Sequence, residues 1–372
     1  MMAKTVCKKS LAVFLAVIMC LSALTGMKIP VSAAEKTDSA YLISFPRSDD
    51  INYNAEWGHG VQEYMNGWNT QKSKYTSFYL VGSYDSNICY CIEPGVPLHA
   101  NDQLTQKGED FWENYPSQYN NTIQPYEIKQ FIGRIMQYGY TGKVSISWRS
   151  NNEGGDKLAQ AAATQLLIWE TVVGERDENF NKVSPNGKNA ILDQISPNHP
   201  LRAKIISYYN SIAENVQKHS KLPSFFAKAP NKAQNIELEW NGSEYTAVLT
   251  DSNNVLGNYT FSSNQPQISF SVNGNKLTIS TKTAPSDTVA ITADKKNSQR
   301  RGIITWSDGK IGPNGEIQDL VTYTQSVSDP VKGFLNVKVS NGSAKIVKTS
   351  EDGKIEGIRF HISGNGVDKD VV

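Results

Sequence analysis

The sequence predicts an α+β region followed by all-β, sandwich-like modules, and three observations carry that prediction. Segments within the first 230 residues repeat apolar side chains at helical spacing. Runs rich in aromatic and β-branched residues, ending in turn formers, lie beside them. After Ala233 the texture changes to short alternating runs separated by Asn-Gly and Asp-Gly pairs. The expected organisation is a leader over 1–33, an α+β domain over 41–230, an all-β domain over 234–340 and the start of a further β module over 342–372.

The leader rests on Lys4, Lys8 and Lys9 ahead of the apolar run "LAVFLAVIMCLSAL", with small residues at "VSAAE". That is the pattern of a signal peptide, with cleavage expected after Ala33 or Ala34. The run from Leu11 to Leu24 is shorter than the ~18–20 apolar residues of a membrane span. No second such run follows, so the expected mature chain is secreted and carries no membrane span of its own. Removing 1–33 takes Lys4, Lys8, Lys9 and Lys28 from 37 basic side chains, leaving 33 against 36 acidic ones. A slightly acidic balance offers nothing to nucleic acid, and the one basic cluster, "DKKNSQRR" from Asp294 to Arg301, reads as a solvated loop. About 340 residues remain, more than one core organises, so two or three domains are expected.

In chain order, "YTSFYLVGSY" and "NICYCIEPG" read as strands. "PYEIKQFIGRIMQYGY" starts at Pro125 and repeats Ile128, Phe131, Ile132, Ile135 and Met136, an amphipathic helix. "GGDKLAQAAATQLLIWETVVG" has Asp156 in position for an N-cap, alanines through its middle and Gly174 as a stop. A third helical stretch is expected from about His199 to His219. Beyond it, "IELEW-NG-SEYTAVL", "QISFSV-NG-NKLTIS" and "GIITWS-DG-KIG" are hairpin signals. "KIVKT" and "GIRFHIS" flank a turn at Asp352-Gly353 and open a β module too short to close, so a longer parent protein is expected.

The informative residues are Cys89 and Cys91. In an extended segment they share a face. A disulfide across one residue is strained, and zinc would lack further ligands at a suitable spacing. Two small buried side chains is the plain reading, set against the tendency of exported proteins to avoid unpaired thiols.

The second motif is "ATQLLIWE", Ala163 to Glu170. Thr164-Gln165-x-x-Ile168-Trp169 together with Tyr90-Cys91-Ile92 resembles the paired signature of thioester domains at the tips of Gram-positive surface adhesins and pili. The resemblance spans about residues 41–229 and implies an internal thioester between Cys91 and Gln165, with Tyr90, Thr164, Ile168 and Trp169 around it. A thiol suits both steps, because it is nucleophilic enough to displace ammonia from a carboxamide and leaves readily when an amine attacks. Trp169 and Ile168 fall at i+4 and i+3 from Gln165, with Ala161 and Ala162 one turn back. Small alanines would admit a strand while Trp169 and Tyr90 exclude water. Cys89 is assigned to packing. "KIVKTSEDGKIEGIRFHI" resembles the first strands of Cna-B or pilin-type repeats, and that likeness implies Lys348 as the lysine of an internal isopeptide bond.

The function implied is covalent capture of an amine, lysine in particular, on a host or neighbouring molecule by a single-use, cell-surface adhesin, anchored to the wall through a missing C-terminal region. It implies no turnover enzyme, no cofactor and no metal. Two other readings stay open: a cysteine peptidase or transglutaminase-like enzyme using Cys91 with His99, His199 or His219 as base, and a non-reactive stalk or binding protein with both cysteines in the core. The acidic runs lack the ligand series of a calcium loop, and no glycine-rich phosphate cradle follows a strand.

Overall fold

The structure, a computed structural model, describes residues 36–46, 75–94, 96–113, 115, 123–145, 148, 152–183, 191–195, 201–309, 317–339, 349, 351, 353, 356–364 and 367–372. Strand β1 (Thr37–Pro46) pairs antiparallel with β2 (Tyr75–Val81), Tyr41 lying opposite Leu80. The two-residue β3 (Tyr90–Cys91) and β4 (Gln103–Lys107) follow, then a one-turn helix α1 (Asp110–Glu113). Three longer helices complete this part: α2 (Pro125–Tyr138), α3 (Asn152–Val173) and α4 (Arg202–His219).

The helices form for the reasons their sequences suggest. Pro125 occupies the first turn of α2, where its missing N–H costs nothing, and Glu127 Oε2 accepts the Gln124 backbone N–H at 3.2 Å. Ile128, Phe131, Ile132, Ile135 and Met136 are all buried on one face. Helix α3 ends where glycine was expected to end it. Gly174 takes φ +85°, and the next backbone N–H, of Glu175, returns to Glu170 O at 2.8 Å. Its start differs from expectation: the helix begins at Asn152, a turn before Asp156. Asp156 does not cap it but pairs with Lys204 of α4 at 2.6 Å.

In the β-rich part, β5 (Asn235–Trp240) and β6 (Tyr245–Thr250) form the first expected hairpin, and β8 (Ser269–Asn273) and β9 (Lys276–Thr281) the second. With β7 (Tyr259–Ser263), β10 (Val289–Lys295) and β13 (Lys332–Val339) they make a seven-stranded sheet in the order β7-β10-β13-β5-β6-β9-β8. Alternation sends Leu277, Ile279, Val289, Ile291, Leu335 and Val337 into its core. The terminal β14 (Phe360–Gly364) pairs with β15 (Val367–Val371), so "GIRFHIS" does sit in a hairpin, with the strand after it. Lys348 and residues 345–347 of "KIVKT" lie outside the described residues.

One expectation is corrected. The division at 230/234 does not separate two sheets. Strands β11 (Gln299–Ser307) and β12 (Leu320–Ser328), expected in the all-β domain, leave it and enter the first sheet, whose order is β2-β1-β4-β11-β12-β3. The second sheet therefore draws on 235–295 and 332–339, and the first on 37–107 and 299–328. The cause is side-chain chemistry on both faces of the returning hairpin. Trp306 and Leu320 pack with Cys89 and Cys91, while Val321 packs, with Ile303 and Tyr323 against it, in the helical core. A local Asp-Gly signal marks a turn but carries nothing about which sheet the strands will join.

The "DKKNSQRR" run is a solvated turn only in its middle, at the exposed Lys296 and Asn297. Its ends belong to β10 and β11, and Lys295 donates to His219 O. Nearby, Asp329, which links β12 to β13, is buried among cations. It accepts from Arg134 Nε of α2 at 2.6 Å and lies 2.8 Å from His219 Nε2 of α4 and 3.6 Å from Arg300 Nε. One carboxylate thus joins two helices to the returning hairpin.

Helix α2 and β11 approach closely at Gly133, where a Cβ would stand 2.5 Å from Arg301 O. Backbone cannot swing aside as a side-chain tip can. Gly133→Ala is therefore expected to lower stability by about 1–3 kcal/mol, the usual range for overpacking, read as a lower thermal midpoint. An unchanged midpoint would mean that the strand yields freely.

Candidate thioester site

The site is built where β3 meets α3. Ile88, Tyr90 and Ile92 join the helical core, whereas Cys89 and Cys91 point the other way into a second cluster with Ala40, Val81, Leu98, Leu104, Trp306 and Leu320. The two cysteines therefore share a face, as their spacing required. The backbone alternates too. Ile92 N–H donates to Asp319 O at 3.1 Å beside β12, while Cys89 N–H donates to Tyr79 O of β2 at 2.8 Å. The bridge to β2 at Tyr79 is isolated, and at Cys91 Gln165 takes the place of a pairing strand. Its Oε1 accepts the Cys91 N–H at 2.9 Å and its Nε2 donates to Cys91 O at 2.8 Å.

A single carboxamide thus acts as one residue of an added strand, satisfying a buried donor and a buried acceptor together. It can reach because α3 is thin there: Ala159, Ala161, Ala162 and Ala163 are fully buried. Ile168 is also fully buried, and Trp169 packs against both cores. The Cys91 thiol receives a hydrogen bond from the Glu93 backbone N–H and lies in the cluster against which the Trp169 ring packs. Burial nevertheless pushes the thiol well above its ordinary pKa, and the neighbouring acidic groups of Glu93 and Asp319 oppose a second negative charge there. The cysteine is held protonated at neutral pH, so attack on an acyl carbon requires a proton acceptor.

Tyr90 and Thr164 set the surroundings. Tyr90 donates to Tyr140 O at 2.6 Å, and Thr164 Oγ1 accepts Tyr140 N–H at 3.0 Å while donating to Gln160 O at 2.8 Å. Tyr90 thus pins the chain just after α2 to β3, and Thr164 pins it to α3. Cys89 is buried, its thiol pushed up to about 12 by desolvation. Cys89 and Cys91 are free thiols in the structure.

The sequence reading missed Glu93 and Asp319, both fully buried, with Asp319 N–H donating to Glu93 Oε2 at 2.8 Å. Glu93 was visible two residues after Cys91. Asp319 was not, because it lies 228 positions beyond Cys91 and only sheet pairing brings Leu320 opposite Cys91. Of the histidines considered as bases, His219 is engaged by Tyr138 and Asp329, His99 lies beside Asp102 with an exposed ring, and His199 is outside the described residues. Among the described residues no group of three or more His, Cys, Asp or Glu is placed to hold a metal ion, and no helix is long and apolar enough to cross a membrane.

A protein-family comparison agrees with this geometry. Residues 88–218 match the thioester-domain family model. The matched segment holds both Cys91 and Gln165, and the helices α2 and α3 and most of α4. Among solved structures, the thioester domain of the Staphylococcus aureus TIE protein aligns with 82% of this chain and 99% of its own length, at 17% identity and a TM-score of 0.37. No curated protein matches the chain. The thioester-domain segment is incomplete as a folding unit, however, since the strand carrying Cys91 takes its sheet partner from residues 320 and 321.

Proposed function

We propose that this protein is a surface adhesin that captures amines covalently through a thioester between Cys91 and Gln165. The observation that supports it is the double hydrogen bond between the Gln165 carboxamide and the Cys91 backbone. Attack of Sγ on Cδ would place negative charge on Oε1, and the Cys91 N–H already stands 2.9 Å from that oxygen. A preorganised donor of this kind stabilises the developing oxyanion. The C–N bond then breaks, Nε2 leaves as ammonia, and the Sγ–Cδ bond remains. A later amine attacks Cδ, forms an amide at Gln165 and restores the Cys91 thiol.

Each molecule reacts once, so the protein is a reagent and not a turnover enzyme. The target would be a lysine on a host or neighbouring molecule. Export by the N-terminal leader and anchoring to the cell wall through a C-terminal region fit such a role, as does an isopeptide bond at Lys348 in a load-bearing stalk. Burial of the reactive pair, Cys91 fully and Gln165 7% exposed, slows hydrolysis before a target arrives.

The test uses the chain through at least residue 339, because a fragment ending at 230 would lack β11 and β12, the sheet partners of β4 and β3. Freshly purified protein lacking residues 1–33, and with them Cys7 and Cys20, is expected to weigh one ammonia less than its calculated mass and to show one titratable thiol when denatured without reductant. Methylamine should add at Gln165 and raise the count to two thiols. A full calculated mass, two thiols from the outset and no adduct would refute the proposal and favour a non-reactive stalk.

A further inference from the structure

The thiol of Cys91 is buried and protonated, and bond formation must move its proton to a nitrogen. No histidine of the described chain stands ready for this: His219 already bonds Tyr138 and Asp329, and His99 is turned to solvent. Two carboxyl groups do lie at hand. Glu93 follows Cys91 by two residues, its backbone N–H reaches the sulfur, and both Glu93 and Asp319 act electrostatically on the thiol. Both are fully buried and held together, Asp319 N–H on Glu93 Oε2 and Gln318 Nε2 on Glu93 O at 3.1 Å.

The side-chain oxygens of Asp319 have no full hydrogen-bond partner, although the Ser307 hydroxyl leans toward them. A purely structural carboxylate at zero exposure would be expected to have its oxygens satisfied. The Glu93 carboxylate reaches the Asp319 backbone N–H, and two acidic residues buried beside one another in this way resist ionising together. Burial, and then the Glu93 charge, hold Asp319 protonated well above the usual carboxylate range; Asp308 adds to the effect and Lys107 opposes it.

We propose that Glu93 and Asp319, sharing one proton, are the proton-handling pair of the Cys91–Gln165 bond. This rests on the thioester reading and deepens it. In bond formation the pair accepts the Cys91 S–H proton as Sγ bonds to Cδ, and a proton passes from the pair to Nε2 as the C–N bond breaks, so that neutral ammonia leaves. In capture the pair accepts a proton from the attacking neutral amine as the new C–N bond forms, and returns it to the departing sulfur as the C–S bond breaks. The pair ends each step as it began, and no outside reactant is needed beyond the amine.

The groups facing the pair are Cys91 on β3, Lys107 on β4, and Ser307 and Asp308 at the end of β11. The variants Glu93→Gln and Asp319→Asn keep size, and an amide oxygen in Glu93→Gln can still accept the Asp319 N–H, but neither amide can relay a proton. Each is expected to lower the rate of methylamine capture, and the fraction of chains that have lost ammonia after expression, by about 100-fold in rate, the low end for general acid–base catalysis. In the wild type, the rate at a fixed concentration of unprotonated methylamine should rise with pH through one ionisation and then level off. The variants should lose that inflection.

Wild-type rate and pH profile in both variants would overturn the pair's role while leaving the thioester intact. A wild type that never loses ammonia would overturn the thioester reading and this one together. Should the variants fail to fold by circular dichroism, the wild-type profile decides alone: a flat line against free amine refutes the proposal, and an inflection supports it.

Discussion

Gln165→Ala is expected to abolish amine capture and to destabilise the protein as well. The first effect needs no estimate, since the acyl carbon is gone. The second follows from Gln165 standing where a strand would stand. Truncation strands the Cys91 N–H and C=O, both at a position with no solvent exposure. Each unpaired buried group costs about 1–3 kcal/mol. Cys91→Ala makes the informative contrast. It equally prevents an adduct, yet leaves the Gln165 side chain bonded to the strand, so its loss of stability should be clearly smaller. Chemical denaturation of both variants beside the wild type measures the difference. Equal stabilities would show that water replaces the carboxamide and that Gln165 is present for chemistry alone.

The second large effect is expected at Asp329. Asp329→Ala leaves Arg134 and Arg300 buried without their counterion and removes one partner of His219. Breaking a buried ion pair from one side costs about 3–5 kcal/mol, and here it loosens α2, α4 and the β11–β12 hairpin from one another. Because that hairpin carries Leu320 and Val321 to Cys91 and Tyr90, amine capture should weaken together with stability. A variant less than about 1 kcal/mol below wild type would mean that apolar packing alone holds the joint.

The same cluster predicts acid sensitivity with a definite sign. Burial opposes the charge of Asp329, but hydrogen bonds from His219 and Arg134 and their positive charges outweigh it and hold the carboxyl below its ordinary range. Its contribution is complete above the ordinary carboxylate pKa of about 4 and is lost as pH falls from there toward the folded value. His219 is held below its ordinary 6.5, first by burial and then by Lys295 and Arg134, with Asp329 opposing. Protonation therefore works against folding as pH drops below about 6.5. Both groups act in one direction. Stability measured from pH 7.5 to 3 should decline in two stages, and Asp329→Asn should remove the lower one.

How much of this was legible in the chain differs from residue to residue. The face shared by Cys89 and Cys91 follows from the two-residue repeat of extended backbone. Helix α2 could be traced from Pro125 and its apolar stripe, and the end of α3 from Gly174, because these are short-range effects of dihedral freedom and periodicity. The start of α3 was misplaced: Asp156 has the right chemistry for a cap but found a cation on another helix. Pairing Cys91 with Gln165 came from a resemblance; nothing in the spacing of 74 residues implies it. The basic run at 294–301 holds the expected exposed turn at Lys296 and Asn297, but its strand ends were not legible, because charge there reads the same whether it faces water or a buried aspartate.

What the sequence by itself determined was local: which segments are strands or helices, where two hairpins turn, and which side chains could supply a nucleophile and an acyl group. Only the tertiary structure decided that β11 and β12 rejoin the first sheet, that a glutamine side chain completes the edge beside Cys91, and that Asp319 meets Glu93. Local preferences act over a few bonds and leave a signature in neighbouring residues. Sheet membership and buried charge are settled by which distant surfaces exclude water best when they meet, and that competition is written across the whole chain at once.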